Sequence, residues 1–211
     1  TLISLFPFHS WAAPAYASAP APVAMMHAGV LKKFGLYGLF MFQPLMETGF
    51  LPWTNILLVL LVCNVIWVGY VTVNQKRLDL LLGNSSVMHM GYIFLAFAAL
   101  VASGSAEANP WALKGAALLM LAHGLTIALL FLLCGQIEKQ TGTLEINSLG
   151  GLSTRLPRMA FVFGLAGMAS IGLPGLANFP GEFMVFFSGF AGFNDSFGPV
   201  QIATILCLWG L

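Results

Sequence analysis

The sequence predicts an all-α, polytopic transmembrane helix bundle with discontinuous helices. Three observations predict it. Of the 211 residues, 59% are hydrophobic and 7% are charged, against about 25% charged in an ordinary soluble domain. The chain therefore lacks the polar material to coat a globule of its size. Four apolar stretches each reach the roughly 20 residues that a helix needs to cross ~30 Å of hydrocarbon. A further apolar run, 159–193, is interrupted by the Pro/Gly-rich stretch GLPGLANFPGE at 172–182.

The formal net charge of +1 excludes a basic nucleic-acid surface. Cys63, Cys134 and Cys207 lie far apart within apolar runs and read as small core hydrophobes. No His, Cys or carboxylate pair has a metal-ligand spacing, so no metal is expected. No phosphate-binding glycine loop follows a strand.

Taken in order, residues 1–16 look like half of a broken helix, ending in PFHSWAAPAY. The chain begins with Thr1, lacks the basic leader of a signal peptide and stops in an apolar run at Leu211. A piece of a longer protein, cut at both ends, is expected. The spans fall at about 20–43, 53–74, 85–103 and 111–136. The links PLMETGFLPW, NQKRLDLLLGN and SGSAEANP join them, and a polar stretch covers 138–158. Residues 159–173 and 181–193 are each too short to span alone. They read as two half-helices with an unwound middle, or as two short segments joined by a tight hairpin. Unwound backbone at membrane depth must line a cavity rather than face lipid.

Lys and Arg set the orientation. Loops 43–53 and 103–110 contain neither. Loops 74–84 and 138–158 carry Lys76, Arg77, Lys139, Arg155 and Arg158, and are expected on the cytoplasmic or equivalent side. Lys114 is the one basic residue near the other face.

Ionisable residues inside spans carry the functional expectation, because each costs at least ~2.5–3.5 kcal/mol at a helix centre. Lys33 lies near mid-depth of the 20–43 span. Lys32 is its neighbour, turned ~100° around the helix, so one of the two is expected to face the interior while the other snorkels or pairs. Tyr37, one turn beyond Lys33, is placed to hydrogen-bond it. A lysine held away from water exchanges its proton more readily, which suits a proton carrier; a structural ion pair is the other reading. Glu182, in NFPGEF, is either the counterpart of that lysine or a helix N-terminal cap. His123, near the middle of its span, passes protons or bonds a neighbouring carbonyl. His89 lies one turn inside its span, and His9 sits by the first break. Single titratable groups on several spans at similar depth read as a proton relay rather than a catalytic site.

The run PFHSWAAPAYASAPAPVAMMHAGVLKKFGLYG, with NSSVMHMGY, LAHGLTIALLFLLCGQIEKQTGT and ASIGLPGLANFPGEF, resembles the antiporter-like membrane subunits of respiratory complex I. The likeness covers essentially the whole chain and is strongest to the chain M, or mitochondrial subunit 4, type, whose GEF motif supplies the glutamate. Mrp-type Na+/H+ antiporters and membrane-bound hydrogenases use similar subunits. The resemblance implies a core of 14 helices with two inverted five-helix repeats, of which 1–211 would be part of one antiporter-type domain. It implies that Lys33 is the central lysine, His123 the relay histidine and Glu182 the exit-side glutamate, with His89 and His9 at further family histidines. It implies no cofactor on this chain. It implies that NADH, FMN, iron–sulfur clusters and quinone belong to partner subunits, and that the partners are other membrane subunits, the bilayer and H+, in a bacterial inner membrane or an organelle's inner membrane. The chain departs from the pattern at Leu2, where the family carries a lysine, at WAAPAY in place of WLPDAH, and at Asp79 in a lysine's place.

Overall fold

The computed structural model describes residues 3–45, 49, 51–191 and 197–210. Leu2 lies outside the described residues. After turns over 6–11, the chain forms α1 (Ala12–Ser18). It then enters one continuous helical run made of α2 (Ala21–Met26), a π turn (His27–Leu31) and α3 (Lys32–Phe42). Three uninterrupted helices follow: α4 (Thr54–Val73), α5 (Leu78–Ser103) and α6 (Pro110–Thr141). A one-turn α7 (Leu152–Arg155) leads to α8 (Pro157–Ser170), α9 (Asn178–Gly189) and α10 (Pro199–Leu208).

The residues at the ends explain the boundaries. Pro110 and Pro157 open α6 and α8, where a missing N–H costs nothing. Gly142 closes α6 at φ +73°, a left-handed residue that stops the helix. Gly104 ends α5 at φ +82°. Between these stops α4, α5 and α6, the first with its short lead-in from Leu51, are long and apolar enough to cross a membrane.

Several sequence expectations move. The helix of the first broken element is Ala12–Ser18, which begins after PFHSW and runs two residues past 1–16, so that break spans the turns at 6–11. The first span, placed at 20–43, is helical throughout 21–42 but contains the π turn. α5 starts at Leu78, so most of NQKRLDLLLGN is helix, and Asp79 sits in its first turn. α6 runs on to Thr141. The second break covers 171–177, and Glu182 lies on the second turn of α9, not directly after the break.

α5 is the central helix. It packs against α1, α4, α6, α9 and α10, and most of its length is enclosed by protein, whereas most of α4 faces outward. Small residues allow the closest approaches. The Gly124 Cα lies so near the Gly29 carbonyl that a Cβ would meet its oxygen at 2.6 Å. Ala21 presses in the same way on Gly135.

The two basic loops meet on one face. Leu78 N–H donates to Leu144 O (2.9 Å), Ile146 N–H donates to Lys76 O (2.9 Å), and Arg77 stands opposite Glu145 as an isolated bridge. Arg77 also forks onto Asp79, Nε to Oδ1 at 3.1 Å and Nη2 to Oδ2 at 2.6 Å. This hydrogen-bonded pairing holds the guanidinium above its ordinary pKa. Asp79 accepts Leu80 N–H as well (2.8 Å), tying the start of α5.

The broken elements run in opposite senses. α1 leads from its break toward the basic face, packing near the start of α5, where Gly83 meets Ala13 and Tyr16. α8 leaves the basic face, and α9 carries on from the break to the other face, where Asn109 Nδ2 holds Ser188 O at 2.9 Å. Asn64 of α4 secures the first break: its Oδ1 accepts Phe6 N–H (3.1 Å) and its Nδ2 donates to Val87 O (2.8 Å). Asn178 Nδ2 reaches back across the second break to Ser170 O at 3.4 Å.

Candidate functional site

Lys33 is buried, with 7% of its surface accessible. The π turn makes this possible. Its wider loop pairs Lys32 N–H with His27 O, five residues back, and Lys33 Nζ donates to the carbonyl of Ala28 within the turn. The Lys33 stem crosses toward α6, where its Cε lies 3.8 Å from the position a Cβ on Gly124 would take. Lys33 also lines a lateral groove of 690 Å³ between the π-containing helix and α6.

Lys32 does not snorkel. It is 0% exposed, and its Nζ has no hydrogen-bond partner and lies 5.7 Å from the centre of the Tyr16 ring. Both lysines are inside because the helix has protein on two sides: Lys33 reaches Gly124 of α6, and Lys32 reaches Tyr16 of α1. Tyr37 does not bond Lys33. It is exposed on the wall of the same groove, and the π-turn carbonyl takes the ammonium instead.

His123, adjacent to Gly124, is fully buried. Its Nε2 lies 3.4 Å from Ser86 Oγ, and its Nδ1 has no partner. Its ring stacks on His89 with centroids 4.8 Å apart and planes 15° apart. His89 Nδ1 faces Ser85 O at 2.8 Å, and its Nε2 faces Ser170 O at 2.9 Å, at the end of α8. Only a ring carrying two protons donates to both carbonyls. The same Nε2 is 4.0 Å from Glu182 Oε1.

Glu182 is 4% exposed. It caps no helix, since the start of α9 has no side-chain cap, and its Oε1 has no hydrogen-bond partner. Its carboxylate lies over Gly172, at φ +70°, where a Cβ would collide with it. His9 stacks on Phe6 at 5.4 Å and its Nδ1 has no partner. No hydrogen bond or ring contact joins it to the other site residues.

The fold thus gathers Lys33, His123, His89 and Glu182 along one buried line and leaves His9 and Tyr37 aside. It adds Ser86, Ser170, Gly172 and the glycine pair Gly29 and Gly124, which sequence reading missed. Ser86 had a signal, standing three residues before His89 and so on its face of α5. Tyr92, on the next turn, sets its ring edge-on to His89 at 5.7 Å.

The transmembrane-family model described as NADH:quinone oxidoreductase/Mrp antiporter matches residues 2–205. The chain is 37% identical over 185 residues to the NAD(P)H-quinone oxidoreductase chain 4 2 of Microcystis aeruginosa, covering 87% of this chain and 32% of that one. To the chain 4 1 of a Synechococcus species it is 34% identical over 207 residues, covering 98% and 37%. It therefore spans about a third of the length of these relatives. Among solved structures, a chain of respiratory complex I from Thermus thermophilus with bound NADH superposes with a TM-score of 0.85 at 28% identity, covering 99% of this chain and 42% of that one. A chain of the Mrp complex from Dietzia superposes with a TM-score of 0.80 at 23% identity, covering 99% and 38%, which shows the fold alone. With its buried line of titratable groups on an all-α, multi-pass membrane scaffold, the chain belongs to the NADH:quinone oxidoreductase/Mrp antiporter transmembrane family.

Proposed function

We propose that the chain is part of a proton-translocating, non-redox membrane subunit of an NADH:quinone oxidoreductase, forming one antiporter-type domain with the rest of its protein. The observation that carries this reading is the buried series in which Lys33 lies beside Gly124, the preceding His123 stacks on His89, and His89 faces Glu182. Each is costly in a membrane interior, and together they offer a proton successive resting places.

The chemistry is proton transfer without covalent intermediates. Lys33 as ammonium gives a proton to His123, and His89 gives one to Glu182, whose carboxylate becomes the neutral acid. The middle step is the gated one. Stacked imidazoles present faces to each other, while protons leave in the ring plane. Transfer from His123 to His89 therefore runs through Ser86 or a bridging water. NADH, FMN, iron–sulfur clusters and quinone are assigned to partner subunits, whose redox energy would alter the electrostatics along this line. The other partners are neighbouring membrane subunits, the lipid of a bacterial inner membrane and H+ itself.

The test uses the full-length protein in its assembled complex. Lys33→Ala and Glu182→Ala are each expected to cut the protons pumped per electron while the complex still assembles. An unchanged stoichiometry in either variant overturns the assignment.

A further inference from the structure

One other set of titratable side chains meets inside the bundle, and the midplane series does not use it. Lys32 is fully buried and its Nζ has no hydrogen-bond partner. A lysine there costs at least ~2.5–3.5 kcal/mol on insertion, and a leucine or methionine would fill the space without that cost. Its Nζ faces the Tyr16 ring at 5.7 Å, within cation–π range. Tyr16 is buried on α1, and its hydroxyl lies 3.1 Å from His27 Nδ1. His27 is half-buried, its ring edge-on to Trp11 at 5.7 Å. His27 precedes Lys32 by five residues and so lies ~7.5 Å nearer the basic face. The three groups climb from the basic half of the bundle to the depth of Lys33.

We propose that His27, Tyr16 and Lys32 form a second proton-carrying branch that feeds the midplane series at Lys33 from the basic half of the molecule. The branch rests on the proton-moving reading given above. In the delivering arrangement, His27 Nδ1–H donates to Tyr16 O. A proton binds His27 Nε2 as Nδ1–H passes to Tyr16 O, and the original Tyr16 O–H passes through a bridging water to the neutral Lys32 amine. His27 and Tyr16 end neutral, Lys32 ends as ammonium, and one proton has moved. A tautomer change at His27 resets the branch. The competing account is a clasp: the hydrogen bond merely pins α1 to the π turn.

The experiment measures protons pumped per electron, with the full-length protein in its complex in sealed vesicles. The variants are Tyr16→Phe, His27→Gln and Lys32→Met, with Lys33→Ala as reference. Tyr16→Phe keeps the ring under Lys32 and its contact with the Phe131 ring, 5.3 Å away, and removes only the hydroxyl. Normalising to electron flow removes any loss of assembled complex. Each variant is expected to lose most of the pumping, and Tyr16→Phe combined with His27→Gln is expected to be no worse than either alone, as groups in series require. Normal pumping in Tyr16→Phe and His27→Gln beside a failed Lys33→Ala overturns the branch and leaves the midplane reading standing. Normal pumping in Lys33→Ala overturns both, because the branch then feeds nothing.

Discussion

At the scale of single residues, Gly172 shows how backbone makes room for chemistry. It adopts φ +70° and sits where a Cβ would strike the Glu182 carboxylate. Gly175, three residues on, has φ +93° with open space around it. Gly175→Ala therefore bears only backbone strain, about 1–2 kcal/mol, while Gly172→Ala bears that strain and also displaces the carboxylate. In the full-length complex, both are expected to lower the thermal midpoint, and only Gly172→Ala should also impair pumping. Equal pumping in the two variants would show that the carboxylate's position is unimportant. Lys33, His123, His89 and Glu182 were legible in the sequence because an ionisable residue stands out in an apolar run. The fate of Lys32 was not. Its burial depends on Tyr16 of α1 covering its face of the helix, a contact that no single residue type announces.

At the scale of elements, the sequence marks helices by their stops. Pro110, Pro157, Gly104 and Gly142 delimit what composition suggested, and the errors fell where amphipathic turns such as LDLLLG extend a span past its apolar core. The joints between elements are less legible, because they depend on partners distant in sequence. Asn64 is the clearest case, holding Phe6 N–H and Val87 O at once, 58 and 23 residues away. Asn64→Ala leaves the Phe6 N–H without its acceptor, while Val87 O keeps its place in the α5 hydrogen-bond ladder, and is expected to cost roughly 1–3 kcal/mol, read as a lowered unfolding midpoint in detergent. An unchanged midpoint would mean that water replaces the side chain. Gly124→Val tests the helix contact. Its Cβ would press on the Gly29 carbonyl, so the π-containing helix must move off α6 and take Lys33 from His123. Gly38→Ala, with nothing within 4 Å, serves as the control and should be neutral or better by up to ~1 kcal/mol in helix propensity.

At the scale of the whole molecule, the two basic loops form one clasped face, and the broken elements run in opposite senses. The alternation of Lys and Arg between loops predicts that both loops lie on one side, and their backbone contact agrees. A thiol reagent that cannot cross the membrane should label Lys76→Cys and Gly150→Cys from one side of sealed vesicles, and Glu107→Cys from the other, each compared with the parent chain. Labelling of all three from the same side would contradict the threading of α5 and α6. The opposed directions of the broken elements were not legible bottom-up, because direction relative to a break appears only when both halves are placed against the same central helix.

The π turn at His27–Leu31 also bears on how this stretch tolerates changes in length. A π turn holds one more residue than the α turn it replaces. Deleting any residue in α4 would swing everything beyond it by ~100° and turn its inward face outward. Deleting Val30 instead lets the turn relax to ordinary pitch, with both flanking stretches still facing as before. Loss of three nucleotides at that codon should leave a protein that folds and assembles, yet one whose central amine has lost the carbonyl cradle that held it. In a library of single-codon deletions across the gene, this turn should stand out as the place where assembly survives and transport does not.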